Sequence, residues 1–75
     1  MRYGLILVKI GGAEPGKIVA VIGKIGGVLD ACAVFGRFDV AVFIGADDYY
    51  KLKDIAAEVA GVEGIKSTET LVHGD

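Results

Sequence analysis

The chain has 75 residues, a formal net charge of -2, an apolar fraction of 53 % and a charged fraction of 24 %. That length allows one domain near the lower limit of autonomous folding, and the composition is globular rather than disordered. The acidic balance argues against a self-sufficient nucleic-acid binder, which needs a clustered basic surface. A single cysteine excludes an internal disulfide and fits a reducing, cytoplasmic setting.

Tyr3 to Ile10 is a β-branched and aliphatic run, read as the first strand. It carries Lys9 and is too short and wrongly flanked for a signal peptide, and no run approaches a membrane span. Gly11 to Gly16 is a loop, with Pro15 suited to a first helical turn, where its missing N–H is not needed. Ile18, Val21, Ile22 and Ile25 then recur with helical spacing, and Gly26 and Gly27 are expected to end that helix. Val28 to Phe35 reads as the second strand and Asp39 to Gly45 as the third, joined through Gly36. Asp47 is the expected N-cap of a second helix whose buried stripe is Leu52, Ile55, Ala56 and Val59. Gly64 is expected to stop it, and Ile65 to Val72 reads as the fourth strand, with a polar tail from His73 to Asp75.

The order β-α-β-β-α-β is the split unit of ferredoxin-like α+β folds, here a four-stranded antiparallel sheet in one domain over residues 1–75. Right-handed crossovers place the first and third strands in the centre. Both are apolar on both alternations: Leu5 and Leu7 against Ile6, Val8 and Ile10, and Val40, Val42 and Ile44 against Ala41 and Phe43. Two helices cover only one face, and leaving the other in water would forgo roughly 1.5–3 kcal/mol per large side chain. A homodimer closing sheet against sheet is therefore expected, with a flatter monomer as the alternative.

Gly11-Gly12-Ala13-Glu14-Pro15-Gly16-Lys17-Ile18 matches the first seven positions of a phosphate-binding P-loop. Ile18 replaces the Ser or Thr that would hold magnesium, Pro15 removes an amide, and Glu14 puts a negative charge where phosphate would lie. An ordinary strand-to-helix loop is expected. Cys32 reads as a packed core thiol with no neighbouring base. One histidine and one cysteine make no metal site, no Ser/His/Asp set is apparent, and no cofactor is implied.

Gly36-Arg37-Phe38-Asp39 is the better functional candidate. Gly36 permits a turn that the Asp39 carboxylate pins by accepting from backbone amides; the same turn offers amides to a ligand carboxylate and Asp39 to an ammonium group. Thr68 and Thr70 lie two apart and so project from one face of the fourth strand.

The element order, Gly36-Arg37-Phe38-Asp39 with its apolar strand, Ala46-Asp47-Asp48, and Val62-Glu63-Gly64-Ile65 through Ser67-Thr68-Glu69-Thr70-Leu71-Val72 together resemble the effector domain of the Lrp/AsnC transcriptional regulators. The likeness runs from Tyr3 to Val72 and is to the stand-alone RAM (regulation of amino-acid metabolism) modules, since the chain opens directly on the first strand where full-length members carry a helix-turn-helix. It implies dimers closing into an α+β barrel, further assembly often into octamers of four dimers, and an amino acid bound between dimers. The binding turn then falls on Gly36, Arg37, Phe38 and Asp39, and the polar pair on Thr68 and Thr70. Phe35 stands where the family frequently has Thr, which would narrow the pocket or favour an apolar effector. The expected role is non-enzymatic sensing of an amino acid or related metabolite, acting through full-length Lrp/AsnC regulators rather than on nucleic acid or membrane directly. An oligomeric scaffold with a vestigial pocket is the alternative. A small enzyme of the dimeric barrel type would need a catalytic set inside the barrel, whereas the one histidine falls in the tail.

Overall fold

The computed structural model describes residues 1–72; the tail expected from His73 to Asp75 lies outside the described residues. The element order is β1 (Arg2–Ile10), α1 (Pro15–Ile22), β2 (Val28–Ala33), β3 (Val40–Ala46), α2 (Tyr49–Ala60) and β4 (Ile65–Val72). The strands form one antiparallel sheet in the order β2-β3-β1-β4, so the two strands that are apolar on both alternations are the central pair, as expected.

Pro15 opens α1 in the position where no N–H is required. The helix ends at Ile22 with Gly23 as C-cap, short of the expected glycine pair. Ile25 matches the helical period but lies in the turn that follows, where its amide donates to the Ile22 carbonyl at 3.0 Å. This shorter helix buries Ile18 and Ile22, leaves Val19 packed against the core and turns Val21 outward. Gly27, at φ 95, then redirects the chain into β2, and its carbonyl accepts from the Gly45 amide at 2.9 Å.

The N-cap of α2 is Asp48, not Asp47: the Asp48 carboxylate accepts from the Lys51 amide at 2.9 Å. Asp47 instead lies 3.8 Å from the Lys51 ammonium in an exposed pair. The helix closes on Gly61 as C-cap, while Gly64, at φ 96, forms the turn into β4 rather than the helix stop. Leu52 and Val59 are buried, with Ile55 and Ala56 packed beside them.

Both helices lie on one side of the sheet. The core sits between them and the alternation Ile6, Val8, Val40, Val42 and Ile44, closed from above by Ile18, Ile22, Leu52 and Val59. Among the described residues no helix is long and apolar enough to cross a membrane.

Candidate functional site

Four places on this frame carry the predicted or newly visible groups: the β2–β3 hairpin tip, the polar positions of β4, the sheet face without helices, and a groove between the α1–β2 turn and α2.

The hairpin tip is tied to the sheet at Asp39. Its amide donates to the Val8 carbonyl at 2.8 Å, and its carbonyl accepts from the Val34 amide at 2.9 Å. Its carboxylate accepts from an amide, as expected, but the donor is Ile10 at the end of β1, 2.8 Å from Oδ2, and not the turn itself. That bond falls beside a register shift between Lys9 and Ile10, where the β1–β4 ladder is interrupted and the Ile10 amide needs another acceptor. Gly36 takes φ 116, open only to glycine without strain, and nothing lies within 4 Å of the position a Cβ would occupy. The Lys9 ammonium donates to the Arg37 carbonyl at 3.1 Å, adding a second cation to the tip. Phe38 is half-buried, whereas Phe35 is fully exposed and so narrows no cavity in the single chain.

Thr68 and Thr70 do share one face of β4, and it is the helix face. Their cross-strand partners are Val8 and Ile6, both fully buried. Thr70 borders a shallow cavity of about 260 Å³ with Tyr49, Leu52, Lys53, Ala56 and Val72. Strand β1 separates the threonines from the hairpin. Thr68 stands level with Val8, about 10 Å across two strand spacings from β3, and Thr70 is about 7 Å further along. Within one chain the turn and the threonine pair are thus two separate places, and no side-chain hydrogen bond among the described residues joins them.

The face without helices is visible in the alternation, but its lateral rows appear only with the register. One row runs Asp30, Phe43, Leu5, Leu71 across all four strands, and the next runs Cys32, Ala41, Leu7, Glu69. Tyr3 stands opposite Gly45 at the edge of the same surface. Phe43, on a central strand, is 44 % exposed, a level that a hydrophobic side chain in a sheet centre does not show when a second layer covers it, and Leu71 on the edge strand β4 is 51 % exposed beside it. Cys32 belongs to this face and is exposed, so the core thiol expected from its apolar neighbours is not found. Those neighbours, Ala31 and Ala33, occupy the opposite alternation of an edge strand.

The glycine-rich loop after β1 is the expected plain connection. The Gly11 amide is already used by the Gly64 carbonyl at 2.9 Å, and Glu14 is the N-cap residue of α1 without a side-chain cap bond. Among the described residues no group of three or more His, Cys, Asp and Glu side chains is placed to hold a metal ion. What local reasoning misses is a groove of about 450 Å³ between the α1–β2 turn and α2, floored by Gly27, Gly45 and Ile55. Its walls come from three distant segments, so no sequence window contains it.

Among solved structures, the crystal structure of TTHA0845 from Thermus thermophilus superimposes with a TM-score of 0.91 at 22 % identity, covering 100 % of this chain and 95 % of that one. The E. coli AsnC structure gives a TM-score of 0.85 at 18 % identity, over 96 % of this chain and 50 % of AsnC. The fold is the Lrp/AsnC effector-domain fold. The transcriptional regulator NMB0573 from Neisseria meningitidis, solved as its complex with L-Met, shares this RAM-type fold with a TM-score of 0.81 at 17 % identity, over 99 % of this chain and 50 % of that one. No family model and no curated protein sequence matches the chain. At these identities the likeness establishes the architecture, and the chain spans about half the length of the two regulators.

Proposed function

We propose that the protein is a non-enzymatic effector module of the Lrp/AsnC type that works in the cytoplasm as an oligomer. It binds an amino acid or a related small metabolite and alters transcription by co-assembling with full-length regulators of that family. The observation that carries this reading is the uncovered apolar face of the sheet, Leu5, Leu7 and Phe43 on the central strands and Leu71 beside them on β4, on a fold shared with AsnC and with a regulator solved with L-Met. Fully burying each such side chain is worth roughly 1.5–3 kcal/mol, which drives sheet-to-sheet pairing.

The hairpin turn and the threonine pair, separate in one chain, form one site only when copies come together. A ligand bound across that contact stabilises whichever assembly completes the site, so binding and assembly are linked by mass action. A second reading, an oligomeric scaffold with a vestigial pocket, is favoured by one observation: Asp39 Oδ2 is committed to the Ile10 amide.

Native mass spectrometry with and without a mixture of the twenty amino acids separates the two. The sensor reading expects even-numbered oligomers that gain a discrete mass per subunit. Oligomers without a gain select the scaffold, and a bare monomer overturns the assembly on which both depend. Asp39→Asn is the appropriate site variant, because its amide oxygen keeps an acceptor for Ile10 while the charge is lost; ligand response should disappear and oligomers persist.

A further inference from the structure

The groove of about 450 Å³ shares no residue with the hairpin tip or with the threonines of β4. Its floor is Gly27, Gly45, Ala46 and Ile55. Gly27 is held bare by its positive φ and by the Ile55 side chain, which leaves no room for a Cβ there. The Gly45 amide donates to the Gly27 carbonyl at 2.9 Å, so that donor is already taken and the floor presents mostly carbon. Met1 lines the groove as well, with an unbranched side chain that adapts to what it meets.

Three charged side chains border this floor: Asp47, Lys51 and Asp54. Lys51 lies 3.8 Å from Asp47, and that pair is neutral as a unit. Among the described residues Asp54 makes no hydrogen bond or ion pair, with the Met1 amino group or any other. One uncompensated negative charge is left beside an apolar surface. The first turn of α2 would otherwise draw an anion, but Asp48 already caps it by accepting from the Lys51 amide at 2.9 Å. The groove therefore disfavours anions and suits a cation with an apolar body.

We propose that the groove is a second small-molecule site, which takes an organic monocation: a primary amine whose ring or branched chain lies over Gly27 and Ile55 while its ammonium faces Asp54. Small-molecule sites span roughly 300–1,000 Å³, and an apolar cavity of roughly 150 Å³ already holds benzene, so one ring on a short chain is the right size. A protein surface is the poorer occupant, because interface cores are depleted in charged residues. A free amino acid is poorer too, because its carboxylate would lie beside Asp47 and Asp54. Within a chain, strand β3 separates the groove from Asp39 by about 20 Å at ~3.3 Å per residue, so an amine here does not compete with a ligand at the turn. The inference rests neither on the turn binding an amino acid nor on the assembly state.

The test is an amide-resolved NMR titration of the full chain with phenethylamine as its ammonium ion, compared with phenethyl alcohol and with L-phenylalanine. The amine in the millimolar range should shift the amides of Gly26, Gly27, Gly45 and Asp54 and leave those of Gly36 and Asp39 in place. Phenethyl alcohol keeps the ring and loses the charge, and should bind about threefold more weakly or worse. Asp54→Asn should weaken the amine by the same factor, with an unchanged melting temperature. The proposal is overturned if the groove amides do not move, if the shifts fall on Gly36 and Asp39 instead, or if the alcohol or L-phenylalanine binds as tightly as the amine. It is equally overturned if Asp54→Asn binds the amine unchanged, or if the groove amides shift on dilution without amine, which would put another copy of the chain there.

Discussion

The two faces of the sheet are made by the same strands one residue out of phase, and they have opposite fates. On the helix side the row Ala31, Val42, Ile6, Thr70 lies under α1 and α2, and Val42 and Ile6 are completely buried. One residue along, the row Asp30, Phe43, Leu5, Leu71 is just as apolar at its centre and has nothing over it in the single chain. Equal hydrophobicity with unequal cover separates two jobs: one face holds the chain folded, the other is available to hold chains together.

Adjacent charges break this comparison most sharply. Val42→Asp buries an unpaired carboxylate in the core and should remove about 4 kcal/mol or more, enough to abolish a cooperative urea transition followed by circular dichroism. Phe43→Asp, its neighbour, should keep the far-ultraviolet spectrum and convert oligomers to monomers in sedimentation. Monomers that unfold would show that the bare face is also needed within the chain.

The glycines sharpen it. A Cβ on Gly27 would come within contact-violating range of the Ile55 side chain at a positive φ, whereas one on Gly36 meets nothing within 4 Å. Gly27→Ala should therefore cost about 2–4 kcal/mol and Gly36→Ala only about 1–2, compared by chemical denaturation. Equal costs would mean that α2 yields at Ile55. Asp39→Ala leaves the part-buried Ile10 amide without its acceptor and should lower stability by about 1–2 kcal/mol, while Asp39→Asn should lower it less.

These residues also show where sequence reasoning reaches and where it stops. The strand order, the central pair and the bounds of β4 follow from alternation and topology, because a strand apolar on both sides has only one economical place in such a sheet. The end of α1 does not, because Ile25 lies in a turn that brings it back against the core where a helix would also have put it. Asp39 is recognisable as the pin of the hairpin, but its partner Ile10 is in another strand, and no local window contains both. Cys32 is misleading for a related reason. Its apolar neighbours suggest a core, yet on an edge strand they belong to the other face. The separation of Thr68 and Thr70 from the turn becomes apparent only once β1 is seen to run between them.

The finest distinction is between the two aspartates before α2. Asp48→Ala removes a cap bond and should lower the unfolding free energy by about 1 kcal/mol, whereas Asp47→Ala removes only an exposed ion pair and should stay within about 0.5 kcal/mol. Parallel thermal melts check the pair. An equal loss would assign the cap to both.

The position of β1 bears on the order in which the molecule is made. The first strand of the described chain is clasped on both sides, by β3 and by β4, the last strand. During synthesis its aliphatic side chains emerge before those of the other three strands, yet their second partner, β4, follows all of them. Until then β1 carries an unpaired edge, and folding must wait on contacts that span most of the described chain, a slow topology for so small a protein. The same arrangement gives the finished sheet its cooperativity: β1 cannot leave without releasing β3 and β4 at once.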